Sequence, residues 1–148
     1  MNKPKVDVFF YGSYINLNVL KEVNIIPDQI IIAKLSGYDI QIAPRANLVK
    51  SEKDCVYGIL TKASHEELQR LYVEHAQGIL GETYLPEAVL VETINNAWVP
   101  TLCYIAPSMK YMKPEIDYIN RIILPAKQLK FPKWYICRLE QFKSQDNE

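Results

Sequence analysis

Val6-Asp7-Val8-Phe9-Phe10-Tyr11-Gly12-Ser13-Tyr14-Ile15 is a short apolar run, rich in valine and phenylalanine, that stops abruptly at a glycine and a serine. Such residues fit the pleated surface of a sheet, so Val6 to Tyr11 predicts a strand that runs into a loop at Gly12 and Ser13. A glycine leaving a buried strand lets successive backbone N–H groups turn into one concavity and hold an anion, and a carboxylate suits such a nest. An ordinary tight turn also explains these residues. Next along the chain, Asn16 or Asn18 can cap a short helix through Val19, Leu20 and Val23 that Pro27 and Asp28 end. Ile30 to Leu35 and Tyr38 to Ala43 read as two strands joined across Ser36 and Gly37. Pro44 to Asp54 reads as polar loop, and Cys55 to Leu60 as another strand.

Ser64 opens the best-marked helix, because Glu67 stands three residues later as a capping box requires. Over the run to about His75, helical spacing puts Leu68, Leu71, Tyr72 and His75 on one face and Glu67 and Glu74 on another. His75 therefore points inward and Glu74 does not. An inward histidine is either a satisfied core residue or, with an ordinary pKa of about 6.5, an apt proton shuttle. Gly78 and Gly81 break the chain before Tyr84 to Thr93, which pairs across Asn95 and Asn96 with Trp98 to Ile105 in a hairpin. From Glu115 the spacing of Ile116, Ile119, Ile123 and Leu124 is helical, with Pro125 kinking or ending the helix. A last helix begins at Pro132, with Tyr135, Ile136, Leu139 and Phe142 as its apolar face, and the charged tail after Lys143 reads as frayed. Short strands with flanking helices, and neither repeat nor linker, predict one α+β domain over residues 1–148.

Composition narrows the function classes. Hydrophobic residues at 49% and charged residues at 23% match a packed globular domain and exclude a disordered chain. Seventeen basic residues balance seventeen acidic ones, so no overall positive field favours nucleic acid or an anionic membrane surface as partner. Cys55, Cys103 and Cys137 are odd in number and unpaired in spacing, which fits core residues in a reducing compartment. The first seven residues lack the apolar stretch of a secretory signal and no later segment has the length of a membrane span, so the expected location is cytoplasmic. The five glycines are scattered and form no phosphate loop, and His65, His75 and the dispersed cysteines give no metal-ligand spacing. Ser13 follows a glycine after a strand, but Ile15 stands where a nucleophile elbow needs its second glycine. Lys127, Lys130, Lys133 and Arg138 interleave with Phe131, Trp134 and Tyr135, like a stacking surface for single-stranded nucleic acid. Helical spacing separates the aromatics from the basic residues, and an amphipathic packing face is the preferred reading.

In this order the segments resemble the gamma-glutamylcyclotransferase family over nearly the whole chain. Phe10-Tyr11-Gly12-Ser13 is similar to the family's strand ending in Tyr-Gly-Ser. Val56-Tyr57-Gly58-Ile59-Leu60 and the Ser64 helix are similar to its Val-x-Gly strand before a Leu-Asp-x-x-Glu helix. Tyr84 to Glu92, with a hairpin partner ending Cys103-Tyr104-Ile105, is the third block. Pro107-Ser108, Ile122 to Lys127 and Phe131-Pro132-Lys133-Trp134-Tyr135 resemble its closing helices with their Leu-Pro-x-x-Tyr signature.

The resemblance implies a small closed mixed β-barrel flanked by helices, and release of 5-oxoproline from a gamma-glutamyl amine or amino acid without a cofactor or metal. The substrate's own α-amine attacks its γ-carbonyl, so an enzyme need only hold a folded conformer, donate N–H groups to the oxyanion and move one proton. Carried over, the nest of Tyr11, Gly12, Ser13, Tyr14 and Ile15 would hold the glutamyl head, and Tyr111 or Tyr118 would line the pocket. Arg45 and Asn47 are candidates for touching the rest of the substrate, against plain solvent exposure. The chain departs from the family at Leu71-Tyr72-Val73-Glu74-His75, where His75 occupies the position of the proton-shuttling glutamate and Tyr72 that of the aspartate. Three readings follow. His75 moves the proton itself, which periodicity favours; or Glu82 or Glu87, near Tyr84 in the substrate-binding set, reaches into the cavity instead; or the site binds an amino-acid-like ligand or modified peptide end without catalysis.

Overall fold

The computed structural model describes residues 3–147. Five strands, β1 (Lys5–Phe10), β2 (Ile31–Ile42), β3 (Ala46–Ser64), β4 (Leu85–Thr93) and β5 (Trp98–Ile105), close into a barrel in the order β1-β3-β2-β4-β5. Long antiparallel ladders join β1 to β3, β2 to β3 and β4 to β5. The other two seams are narrow: β2 meets β4 only at Ala33–Thr93 and Lys34–Glu92, and β1 meets β5 in parallel at Val8–Leu102 and Phe9–Cys103. Val8, Phe9 and Phe10 are all buried, so the strand that opens the chain is apolar on both faces. This is the α+β barrel with flanking helices that the sequence led us to expect.

The β2–β3 ladder differs from the expectation. Ile30 to Leu35 and Tyr38 to Ala43 are not a hairpin but one strand, bent at an irregularity between Ser36 and Tyr38 where Gly37 takes φ of +90°. The residues read as polar loop, Pro44 to Asp54, contain only a tight turn at 43–45, after which β3 pairs Ala46 to Lys50 with Ile42 to Tyr38. Water on one face permits the polar residues that made this arm look like loop.

Asn16 caps α1 (Leu17–Glu22) by accepting from the Asn18 N–H, and the helix ends at Val23, before Pro27, with Asn24 at φ of 61°. Ser64 and Glu67 form the expected capping box on α2 (His65–Gln69). From Arg70 to Gln77 the helix widens into a π-helical segment, a form that occurs mostly as a single turn at functional sites. Helix α3 (Ile116–Gln128) continues past Pro125 to Gln128 rather than ending there. Pro132 caps α4 (Lys133–Glu140), whose Tyr135 and Leu139 are buried together with Phe131, while Trp134 faces outward. A 3-10 segment, Gln141–Asn147, follows where fraying was expected, and Phe142 in it is buried; Glu148 lies outside the described residues. The sequence puts all three thiols in the core, but only Cys103 is buried, where burial raises its pKa to about 12; Cys55 is half-buried and Cys137 exposed. Among the described residues no helix is long and apolar enough to cross a membrane.

Candidate active site

The exit of β1, the β2–β3 turn, the π-helical segment and the approach to β4 meet around one pocket. Its first wall is the Gly12–Ile15 turn. The Ile15 N–H donates to the Gly12 carbonyl at 3.1 Å and the Asn16 N–H to the Ser13 carbonyl at 3.0 Å. The amides of Ser13 and Tyr14 head this 3-10 turn and so have no acceptor inside it, which leaves them for a ligand. Glycine is required at position 12 by close approach, since a Cβ there would stand 2.6 Å from that of Ala46.

Two tyrosines fix the Ala46 peptide opposite. The Ala46 N–H donates to the Tyr118 hydroxyl at 2.9 Å, and the Tyr84 hydroxyl donates to the Ala46 carbonyl at 2.6 Å. The Tyr11 hydroxyl donates to the Tyr104 carbonyl at 2.6 Å, and the Tyr104 ring stacks on Tyr72 at 3.8 Å. Burial pushes the pKa of Tyr11, Tyr14, Tyr72 and Tyr84, which line the pocket, and of Tyr118, which against expectation does not, upward, so these phenols stay neutral.

Into this neutral lining project one cation and one carboxylate. Arg45 sits with its guanidinium 4.8 Å from the centre of the Tyr118 ring. Glu82 arrives from the far side of the π-helical segment, where Gly81 takes φ of 78° and the Glu82 N–H donates to the Ala76 carbonyl at 2.9 Å. Among the described residues no ion pair joins Glu82 to Arg45. The pocket encloses only about 30 Å³, roughly the room two waters need.

The other candidates from the sequence lie elsewhere. His75 is half-buried but does not line the pocket; its Nδ1 lies 2.9 Å from the Tyr14 hydroxyl, which is also 3.1 Å from the Leu71 carbonyl. The phenol has one proton, so either Leu71 accepts it and His75 donates from Nδ1, or Nδ1 accepts it. Burial lowers the pKa of His75; Glu22 opposes that shift and Arg45 and Arg121 add to it. Ile15 is buried outside the lining. Tyr111 is exposed over a separate depression, and Glu87 is exposed opposite Cys103 on β5. Asn47 donates to the Ala106 carbonyl at 2.8 Å and accepts from its N–H at 2.9 Å, a backbone-like link that leaves little of it for a ligand. Ala46, Tyr72, Ala76 and Leu80 line the pocket without having been singled out for it. Only Tyr72, on the helix face shared with His75, carried a signal in the sequence.

No protein-family model and no curated protein matches this sequence. Solved structures do match. A gamma-glutamyl cyclotransferase superposes with a TM-score of 0.78 at 19% identity, covering 93% of this chain and 87% of its own. An uncharacterized human protein gives 0.76 at 19%, covering 92% and 86%. A yeast gamma-glutamyl cyclotransferase specific to glutathione gives 0.66 at 14%, covering 95% and 96%. The class is thus a small α+β barrel with a pocket at one end, and the particular fold is that of the gamma-glutamyl cyclotransferases.

Proposed function

We propose that this protein, acting as one cytoplasmic domain, releases 5-oxoproline from a gamma-glutamyl amine or amino acid. The observation that carries the reading is the meeting of two uncommitted turn amides, Arg45 and Glu82 in one pocket lined by neutral tyrosines, in a fold shared with gamma-glutamyl cyclotransferases. Three free thiols suit a reducing compartment. Arg45 pairs with the substrate α-carboxylate and fixes the folded conformer. The α-nitrogen attacks the γ-carbonyl carbon, and the Ser13 and Tyr14 amides donate to the oxyanion that forms. Glu82 takes the proton released by the α-nitrogen and gives it to the departing nitrogen as the old C–N bond breaks. The products are 5-oxoproline and a free amine, and the substrate supplies its own nucleophile, so the step needs no cofactor.

Glu82 is preferred to His75 for the proton because it lines the pocket, whereas His75 reaches it only through the Tyr14 hydroxyl. A second reading, a pocket that binds an amino-acid-like ligand without turnover, is favoured by His75 standing where the resembled family keeps its proton-shuttling glutamate. The test is 5-oxoproline release by purified protein from a panel of gamma-glutamyl amino acids, gamma-glutamylamines and glutathione. Turnover on at least one member is expected. Saturable binding of a panel member without turnover, seen by calorimetry, establishes the second reading.

A further inference from the structure

A second cavity is roomier than the pocket. A groove of about 460 Å³ lies where the narrow β2–β4 seam faces the turn between α3 and α4. It is distinct from the candidate active site: Tyr84, at the pocket just before β4, and Glu92, at the groove near the end of β4, are eight residues apart, on the order of 27 Å of extended chain. Leu129, Phe131 and Pro132 form its helical side, and Ile32 and Tyr57, with Ile94 just past β4, its sheet side. Ile94 is 66% exposed on the rim, and Trp134, 55% exposed, packs edge-on against Tyr57 at 6.0 Å. This combination of size, concavity and apolar lining is that of a small-molecule site rather than of a flat surface.

The groove also has a charged end. Lys34 is engaged with Glu92 at 3.7 Å, whereas Lys130 meets no carboxylate among the described residues. Lys130 stands at φ of 60°, one residue past Leu129, the C-cap of α3, with its N–H donating to the Lys127 carbonyl. That position is usually filled by glycine, because a Cβ in the left-handed region is strained. The fold alone would favour glycine there, and what the lysine adds is an unpaired ammonium at the mouth of an apolar groove.

We propose that this groove is a second ligand site, for an apolar organic anion: an aromatic or alkyl body seated between Ile94 and Phe131, with its carboxylate or sulfonate on Lys130. The probe is 8-anilinonaphthalene-1-sulfonate, titrated into the folded full chain and followed by fluorescence and calorimetry, with 2-naphthoate and 2-naphthylmethylamine as competitors. One saturable site with a dissociation constant below about 100 µM is expected. Naphthoate should compete at least fivefold better than the amine, and Ile94→Ser should weaken binding at least threefold. Lys130→Glu should weaken it at least fivefold. Lys130→Gly separates ligand from fold, since it should raise the thermal midpoint by relieving the backbone and still lose at least fivefold in affinity. Arg45→Ala should leave the titration unchanged. Absence of saturation, equal competition by the amine, full affinity in Lys130→Gly, or loss of binding in Arg45→Ala would each overturn the proposal.

Discussion

Gly12 shows how closely the site depends on single atoms. A Cβ at that position would come within 2.6 Å of the Ala46 Cβ, on the peptide that Tyr84 and Tyr118 hold by both ends, so the strain cannot relax by moving Ala46. Gly12→Ala should cost about 1–3 kcal/mol, as overpacking does. Gly12→Ala with Ala46→Gly should recover most of it, and thermal melts of the single and double variants check this. His75 predicts a pH effect. Burial holds its folded-state pKa below the ordinary 6.5, with Glu22 opposing and Arg45 and Arg121 reinforcing, so the unfolded chain binds a proton more readily than the folded one. The sign follows. Stability is unaffected by this group above about pH 6.5 and is lost as pH falls from there through the folded value. The thermal midpoint should therefore drop more between pH 7 and pH 5 in wild type than in His75→Asn, and an equal drop would remove His75 as the cause.

Helix α3 illustrates coupling between elements. Pro125 has no N–H to give the Arg121 carbonyl one turn back, yet the helix continues, and the Asn16 side chain donates to that carbonyl at 3.2 Å. The same Asn16 caps α1 through its Oδ1, so one side chain caps one helix and serves a carbonyl inside another. Asn16→Asp should keep the cap and lose the link, at a cost of about 1 kcal/mol, and Pro125→Ala should shrink that cost by restoring an N–H donor. A double-mutant cycle by urea denaturation measures the coupling, and additivity would contradict it. The Asn16 cap, the Ser64–Glu67 box and the hairpin at Asn95 and Asn96 were legible because each depends on residues close in sequence. The first arm of β3 was not, because its strand character comes from pairing with β2. The π-helical segment was not legible either. Ordinary helical spacing turned His75 inward, but in the widened turn Tyr72 and Ala76 line the pocket and His75 lies behind Tyr14.

At the scale of the molecule, the barrel is closed but unevenly stitched. Strand β4 is tied to β5 along its length and to β2 by two residue pairs, so from Leu85 to Val91 its other edge has no ladder partner among the described residues. Local opening is expected there first. Hydrogen exchange should show the amides of β2 and β3 protected at least tenfold more than those of Leu85 to Val91, and uniform protection would contradict the uneven seams. The same topology explains what the sequence could tell of the site. The Tyr11–Ser13 turn was visible as a motif and Arg45 and Glu82 as candidates, but their meeting depends on closure of the barrel, which brings residues 12, 45 and 82 to one end. The most direct test compares 5-oxoproline release by Glu82→Gln and His75→Asn, side by side with wild type, on whichever gamma-glutamyl compound turns over fastest. Loss of at least 100-fold in Glu82→Gln, with His75→Asn within about tenfold of wild type, is the predicted result. The reverse pattern would contradict it and give the proton to His75.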